Sequence, residues 1–214
     1  MGSKLDYLLE ILEKNQHRHL RKSFPLIKEE NFRKSDLYKE VKETYMNLGG
    51  ITAEIPFKQA EWDLEFESFA IILDEEYSFN RYRAVTLKAP FYLGTHYFNL
   101  ENYKRYCRQF ESECLKAGRK ISNWSDRESE KHFGESEEPG DLALKGSAKW
   151  KERAFFDLLT DAMAAFGKIK LIRISIYDNI LINNQIIKID NLLSSRNPLN
   201  EKYLWNYFQR RIQA

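Results

Sequence analysis

Cysteine is scarce: the 214 residues include two, Cys107 and Cys114. A secreted disulfide scaffold needs a denser set, so that class is excluded. Both cysteines read as small buried apolar side chains on one face of a helix, seven residues apart. No C-x-x-C or H-x-x-x-H pattern occurs, and only His96 and His132 are candidates to complete a zinc set. No structural metal is expected from them.

Charge of one sign is missing too. Lys+Arg is 34 against Asp+Glu 32, a net charge of +2. That excludes a histone-like or polybasic protein, while local clusters stay open as phosphate contacts. No apolar run approaches the ~18 residues of a membrane span. The opening MGSKLDYLLEILEKNQHRHL interrupts its leucines with charges and carries Asp6 where N-myristoylation requires Ser or Thr. No Walker A, G-x-G-x-x-G or G-x-S-x-G motif is present, so ATP, NAD and a serine nucleophile have no support. The expectation is a soluble, cytoplasmic protein with no membrane partner.

What is present is a core. Hydrophobic residues make up 43% and aromatics 14%, which rules out a disordered chain. Leu5, Leu8, Leu9 and Leu12 predict a short amphipathic helix with Ser3 as its cap. Residues 15–34 are basic and polar, with His17, Arg18, His19, Arg21 and Lys22 clustered; they read as a solvated linker or a phosphate-contacting arm. Ser35 caps a second helix, striped by Leu37, Val41, Tyr45 and Leu48 and ended by Gly49. Three strands over 52–57, 61–67 and 69–74 then predict a meander. In the second, Trp62, Leu64 and Phe66 face one way, and Glu61, Asp63, Glu65 and Glu67 the other. The third is almost continuously apolar, as in a strand buried on both faces.

Further on, a short helix over 79–88 halts before Pro90. A single long helix spans 99–118, with Leu100, Tyr103, Cys107, Phe110 and Cys114 on one side. Residues 119–148 read as a long loop, with seven acidic residues against two basic ones between Ser125 and Asp141. A helix follows from Trp150 to Phe166, then a strand over 170–177. A hairpin over 181–189 turns at Asn183-Asn184, and a last helix spans 200–212. This order predicts a mixed α/β fold, a central sheet flanked by helices. The expected divisions are an N-terminal helix and linker (1–34), a core (35–190) and a C-terminal helix packed on it (191–214).

The chemistry-bearing residues are acidic. Asp63 and Glu65 share a strand face, and Asp74 and Glu76 share another at the end of the next strand. Carboxylates crowd in this way to hold a hard cation or to raise one member's pKa; the alternative is a solvated strand face. Mg²⁺ needs one or two carboxylates plus substrate phosphate, so the set suffices. Arg81 and Arg83 follow directly, and arginine suits bidentate phosphate contact. Their alternative is ion pairing to Glu75 and Glu76. Lys149, Lys151 and Arg153 head the Trp150 helix, where cations oppose the macrodipole and require a partner. A nucleic-acid backbone or the acidic run at 135–138 would serve. His132 reads as a surface residue or a water activator, Ser147 as a helix cap, and Trp150 and Phe155 as core.

This arrangement resembles the restriction-endonuclease-like fold, whose superfamily is marked by P-D-(x)n-(D/E)-x-K. More narrowly, Ile71-Ile-Leu-Asp-Glu-Glu-Tyr-Ser-Phe-Asn-Arg-Tyr-Arg-Ala-Val-Thr-Leu87 is similar to an uncharacterised bacterial family with the pattern E-x-D-E-x-x-H-F-N-R-Y-R-x-x-T-L. Gly146-Ser-Ala-Lys-Trp-Lys-Glu-Arg-Ala-Phe-Phe-Asp157 and Arg173-Ile-Ser-Ile-Tyr-Asp178 also resemble it, so the likeness covers roughly residues 35–190. It implies a Mg²⁺-dependent phosphodiesterase acting on nucleic acid. Asp63, Asp74 and Glu76 would then be catalytic metal ligands, with Glu40 as a fourth. Arg81, Arg83, Lys149, Lys151 and Arg153 would hold the backbone. Departures from the pattern are Ile72 at the first acid, Ser78 at the histidine, Trp62 at the proline and Asp74 at the motif lysine. Ile72 cannot bind metal. The alternative is therefore an inactive nuclease-fold module that binds nucleic acid or a protein partner.

Overall fold

The computed structural model describes residues 3–15, 24–95, 98–121, 124–140 and 142–213. The basic cluster His17, Arg18, His19, Arg21 and Lys22 lies outside these residues, as do His96 and Asp141. The fold is mixed α/β. Its helices are α1 (Ser3–Lys14), α2 (Glu29–Arg33), α3 (Asp36–Asn47), α4 (Arg81–Thr86), α5 (Leu100–Gln109), α6 (Glu111–Ile121), α7 (Arg127–Phe133), α8 (Ala148–Phe166), α9 (Ile189–Ser195) and α10 (Glu201–Gln213). Its strands are β1 (Leu64–Glu65), β2 (Ala70–Asp74), β3 (Leu171–Ser175), β4 (Asn179–Ile182) and β5 (Gln185–Lys188). Among the described residues no helix is long and apolar enough to cross a membrane.

Two compact units divide the chain: Met1–Pro25, Trp62–Glu75 and Ile169–Ala214 form one, and Leu26–Glu61 with Glu76–Lys168 the other. This cuts across the linear division into 1–34, 35–190 and 191–214. Both end helices, α1 and α10, belong with the strands.

In the first unit β2 is the central strand. It pairs antiparallel with β1 (Leu64↔Ile71) and parallel with β3 (Ala70↔Leu171 through Asp74↔Ser175). A strand hydrogen-bonded on both sides and covered on both faces needs apolar side chains in both directions, which is why Ala70-Ile-Ile-Leu reads as an unbroken run. The meander is corrected here. Residues 52–57 form no strand, and Pro56 has no N–H to offer a ladder. The third strand of the sheet comes instead from Leu171–Ser175, because a parallel pairing can recruit a segment distant in sequence.

The hairpin turns where expected: Asn183 and Asn184 have φ of 49° and 62°, the left-handed pair that a two-residue type I′ turn demands. Directly after it, Ile189, expected to end the hairpin strand, opens α9 instead. Its Ile189, Leu192 and Leu193 are buried, as are Leu8, Ile11 and Leu12 of α1 and Leu204 and Phe208 of α10. α1 packs on both α9 and α10. Each such side chain contributes about 1.5–3 kcal/mol on burial.

In the second unit α8 is the hub, packed against α3, α4 and α7. Phe155 meets the rings of Tyr45 and Phe133 at 5.1 and 6.4 Å. The expected 99–118 helix is two: Phe110 leaves helical geometry (φ −112°, ψ 18°) between α5 and α6. Cys107 and Cys114 thus sit on different helices, although one off-helix residue leaves the apolar period intact. Gly118 is required by contact, since a Cβ there would lie 1.8 Å from Cζ2 of Trp150. The acidic stretch holds α7, whose capping box joins Asp126 and Ser129. It carries too short an apolar stripe to be visible by period.

Candidate functional site

The carboxylates fall in both units. In the first, Asp63 donates its N–H to Ile71 O at 3.0 Å, and its Oδ2 accepts Leu73 N–H at 2.7 Å. With β1 so short, this side chain continues the ladder along β2. Asp74 Oδ1 lies 2.7 Å from Arg173 Nη1, with side-chain exposures of 2% and 0%. A guanidinium therefore stands where a hard cation would approach that oxygen. In the second unit, Glu76 opens a 3₁₀ turn (Glu76–Ser78) and is half-buried. Glu40 Oε2 accepts the N–H of Phe91 at 2.7 Å. Among the described residues no group of three or more His, Cys, Asp or Glu is placed to hold a metal ion.

Asp74 belongs to a different assembly. Arg173, its partner, accepts at its backbone O a hydrogen bond from Arg211 Nη1 (3.0 Å). Arg211 Nη2 reaches Asp178 Oδ2 (2.9 Å), and the same oxygen accepts Tyr207 O–H (2.5 Å) and Ser175 N–H (3.3 Å). This chain of polar groups runs from the centre of the sheet to α10. Sequence reading missed Arg211 and Tyr207. The Arg173-Ile-Ser-Ile-Tyr-Asp178 stretch stood out only by family resemblance, although an arginine inside a β-branched strand, tolerable only when paired, was a signal for the other half.

The cations expected to hold a nucleic-acid backbone are largely occupied within the second unit. Arg81 grips Glu111 in a fork, with Nη2 at 2.6 Å and Nε at 3.1 Å, instead of Glu75 or Glu76. Arg83 is buried, its Nη2 2.8 Å from Asp161 Oδ2 and its Nη1 3.1 Å from Tyr92 Oη. Lys149 Nζ bridges Asp126 (2.8 Å) and Glu152 (2.7 Å), not the run at 135–138. Arg153 lies 3.7 Å above the ring of Tyr77. Lys151 is buried, with its ammonium 5.7 Å from the Tyr82 ring centroid, and burial lowers its pKa. His132 Nδ1 contacts Glu152 Oε1 at 3.1 Å. Ser147 caps α8, accepting Trp150 N–H at 3.1 Å.

The Phe79–Arg83 signature is thereby explained residue by residue. Phe79 is buried among Tyr103 and Tyr106. Asn80 Oδ1 caps α4 by accepting from Tyr82 N and Arg83 N. Tyr82 O–H donates to Leu142 O at 2.9 Å, and its oxygen accepts Ser147 N–H at 3.2 Å. Gly146 makes room for that hydroxyl: a Cβ there would lie 1.7 Å from it. Cys114 Sγ lies near Tyr77 O and Asn80, and burial pushes its thiol up to about 11, so it stays protonated.

Asp126 carries a pH prediction. The Lys149 ammonium, then the Ser129 N–H, lowers its pKa to about 2. An unfolded aspartate titrates near ~3.9, so this contribution is complete above about pH 4 and lost as pH falls toward about 2. Asp126→Asn keeps the capping acceptor and loses the charge. It is expected to cost up to ~1 kcal/mol at neutral pH, since the pair is partly exposed. In urea titrations the gap from wild type should close between about pH 4 and 2. A gap that is constant across this range would show that the charge contributes nothing.

Buried ion pairs and a small mixed sheet define a mixed α/β protein whose best-marked motifs are tied into packing. The chain belongs to a protein family of unknown function, DUF7255, whose model matches residues 43–195. No curated protein and no solved structure matches it.

Proposed function

We propose that this chain is a non-catalytic module with a restriction-endonuclease-like fold that works by binding a protein partner. The observation that carries this reading is the buried Asp74–Arg173 pair. A divalent ion at Asp74 would sit against a positive guanidinium, and withdrawing that guanidinium would strand a buried charge. Ile72 at the first acid of the motif points the same way. The second support concerns the partner: Arg81, Arg83, Lys149 and Arg153 already have carboxylate or aromatic partners. A phosphate backbone would have to displace them, so a protein is favoured over nucleic acid.

The test is incubation of the purified chain with labelled single- and double-stranded DNA and RNA in MgCl₂ or MnCl₂. The expected result is no cleavage above that of Asp63→Ala, a substitution at an exposed position. Metal-dependent cleavage that Asp63→Ala abolishes, with the thermal unfolding curve retained, would make the protein a phosphodiesterase with Mg²⁺ at this site. Tight, steeply salt-dependent binding without cleavage would assign nucleic acid as the partner.

A further inference from the structure

The hairpin and the last helix of the first unit leave a groove of about 470 Å³ between β4 and α10. Its helix side is one stripe of α10, including Tyr203, Tyr207, Arg210 and Arg211 at i, i+4, i+7 and i+8. Its other wall is the outer edge of β4 at Asn179 and Leu181.

Register decides what that edge offers. Ile189 N–H bonds Asp178 O at 2.8 Å, and the ladder continues Asn179↔Lys188, Ile180↔Ile187, Leu181↔Ile186, Ile182↔Gln185. Hydrogen-bonded and non-hydrogen-bonded pairs alternate in an antiparallel ladder. Asp178 therefore spends its C=O on this ladder, with its N–H on Ser175 O (3.0 Å), and Ile180 and Ile182 spend both their N–H and C=O on β5. Those of Asn179 and Leu181 point outward, and no backbone partner for them occurs among the described residues. An open strand edge is a template for another strand. Beside it, Leu181 and Ile186 form a cross-strand apolar pair that is 66% and 75% exposed.

Charge selects the occupant. Arg210 is exposed and has no carboxylate in ion-pair contact among the described residues. Arg211 is held against Asp178 at the same end of the groove, and Lys188 stands opposite Asn179. We infer that this groove takes an extended segment of a partner protein, apolar and acidic in alternation, as a strand added to β4. The segment's apolar side chains would cover Leu181, and its carboxylates would meet Arg210. This is the strand-addition mode, in which main-chain bonds give affinity and alternate side chains give selectivity. It rests on the non-catalytic, protein-binding reading and supplies its surface and the chemistry of its partner.

The probe is a fluorescein-labelled peptide of alternating Glu and Val, titrated with the full chain and read by anisotropy. Binding is expected, weakening as salt rises, and falling by about tenfold or more in Arg210→Glu and in Leu181→Asp. Both positions are exposed, so unfolding curves should match wild type. A Lys–Val peptide should bind far more weakly, and N-methylation of alternate Glu–Val amides should abolish binding. The proposal is overturned by equal binding of the two peptides, by indifference to N-methylation or to the two substitutions, or by no Glu–Val binding at about 1 mM chain. Self-association that Leu181→Asp abolishes would give the groove to a second copy instead. Displacement of bound peptide by single-stranded DNA would give it to nucleic acid. None of these results alters the outcome of the cleavage assay, which decides the non-catalytic reading separately.

Discussion

Arg173→Met is expected to destabilise the protein by about 3–5 kcal/mol, the cost of leaving one member of a buried pair uncompensated. For a chain of this size that lowers Tm by roughly 6–20 °C. The reason is local. Arg173 and Asp74 sit on adjacent parallel strands, offset by two residues in register, with 0% and 2% of their side chains exposed. Removing the guanidinium leaves a buried carboxylate on the sheet face it shares with Ala70 and Leu171, both also buried. Asp74→Asn should be destabilising too, because it strands the arginine. The double change Arg173→Met with Asp74→Leu should recover much of the loss, since an apolar pair of similar volume needs no compensation. Urea denaturation at neutral pH measures all three. The outcome also bears on function. Were Asp74 one of several mutually repelling metal ligands, its neutralisation would leave the metal-free protein unchanged or more stable. A stabilising Asp74→Asn would remove the main support for the non-catalytic reading.

Loss of Asp161 should cost as much. Its Oδ2 accepts both Arg83 Nη2 (2.8 Å) and Tyr92 O–H (2.5 Å), and Arg83 Nη1 also contacts Thr86 and Tyr92. Asp161 and Arg83 have side-chain exposures of 0% and 2%. Asp161→Ala leaves a buried guanidinium without its carboxylate and removes the acceptor at 2.5 Å from the Tyr92 hydroxyl, so about 3–5 kcal/mol is expected. Asp161→Asn, which keeps an acceptor, should cost less. Arg83→Lys should not rescue, because one ammonium cannot reproduce a planar fork directed at both Asp161 and Tyr92. Thermal unfolding of the three variants ranks these effects. Equal stability of Asp161→Ala and wild type would mean that the pair contributes nothing and that Arg83 has another role, phosphate contact being the first to examine.

Local rules carried far along this chain. Ser35 and Ser147 cap their helices through side-chain oxygens, and such caps are legible because only a few residue types can accept those N–H groups. The stripes of α3 and α8, the alternation at Leu64 and Phe66, and the Asn183-Asn184 turn are equally local. So was the mixed α/β class. What period cannot register was missed: the single residue that splits α5 from α6, and the two seven-residue helices α7 and α9.

The candidate site divides along the same line. Which residues carry charge, and that acids gather over 61–76 with arginines just beyond, is written in the amino-acid order alone. So is the scarcity of cysteine, which already turned both thiols inward. What each charge faces is a pairing problem across large sequence distances. Asp74 finds Arg173, Arg83 finds Asp161 and Lys149 finds Asp126 only once strands and helices have packed. A buried charge must be matched by whichever opposite charge the topology brings within about 3 Å, and one-dimensional spacing holds no information on that. The tertiary structure therefore decided that most of the residues resembling a catalytic and phosphate-binding set are engaged in holding the fold. It also gave β4 an outer edge, along the groove, that no backbone pairs among the described residues.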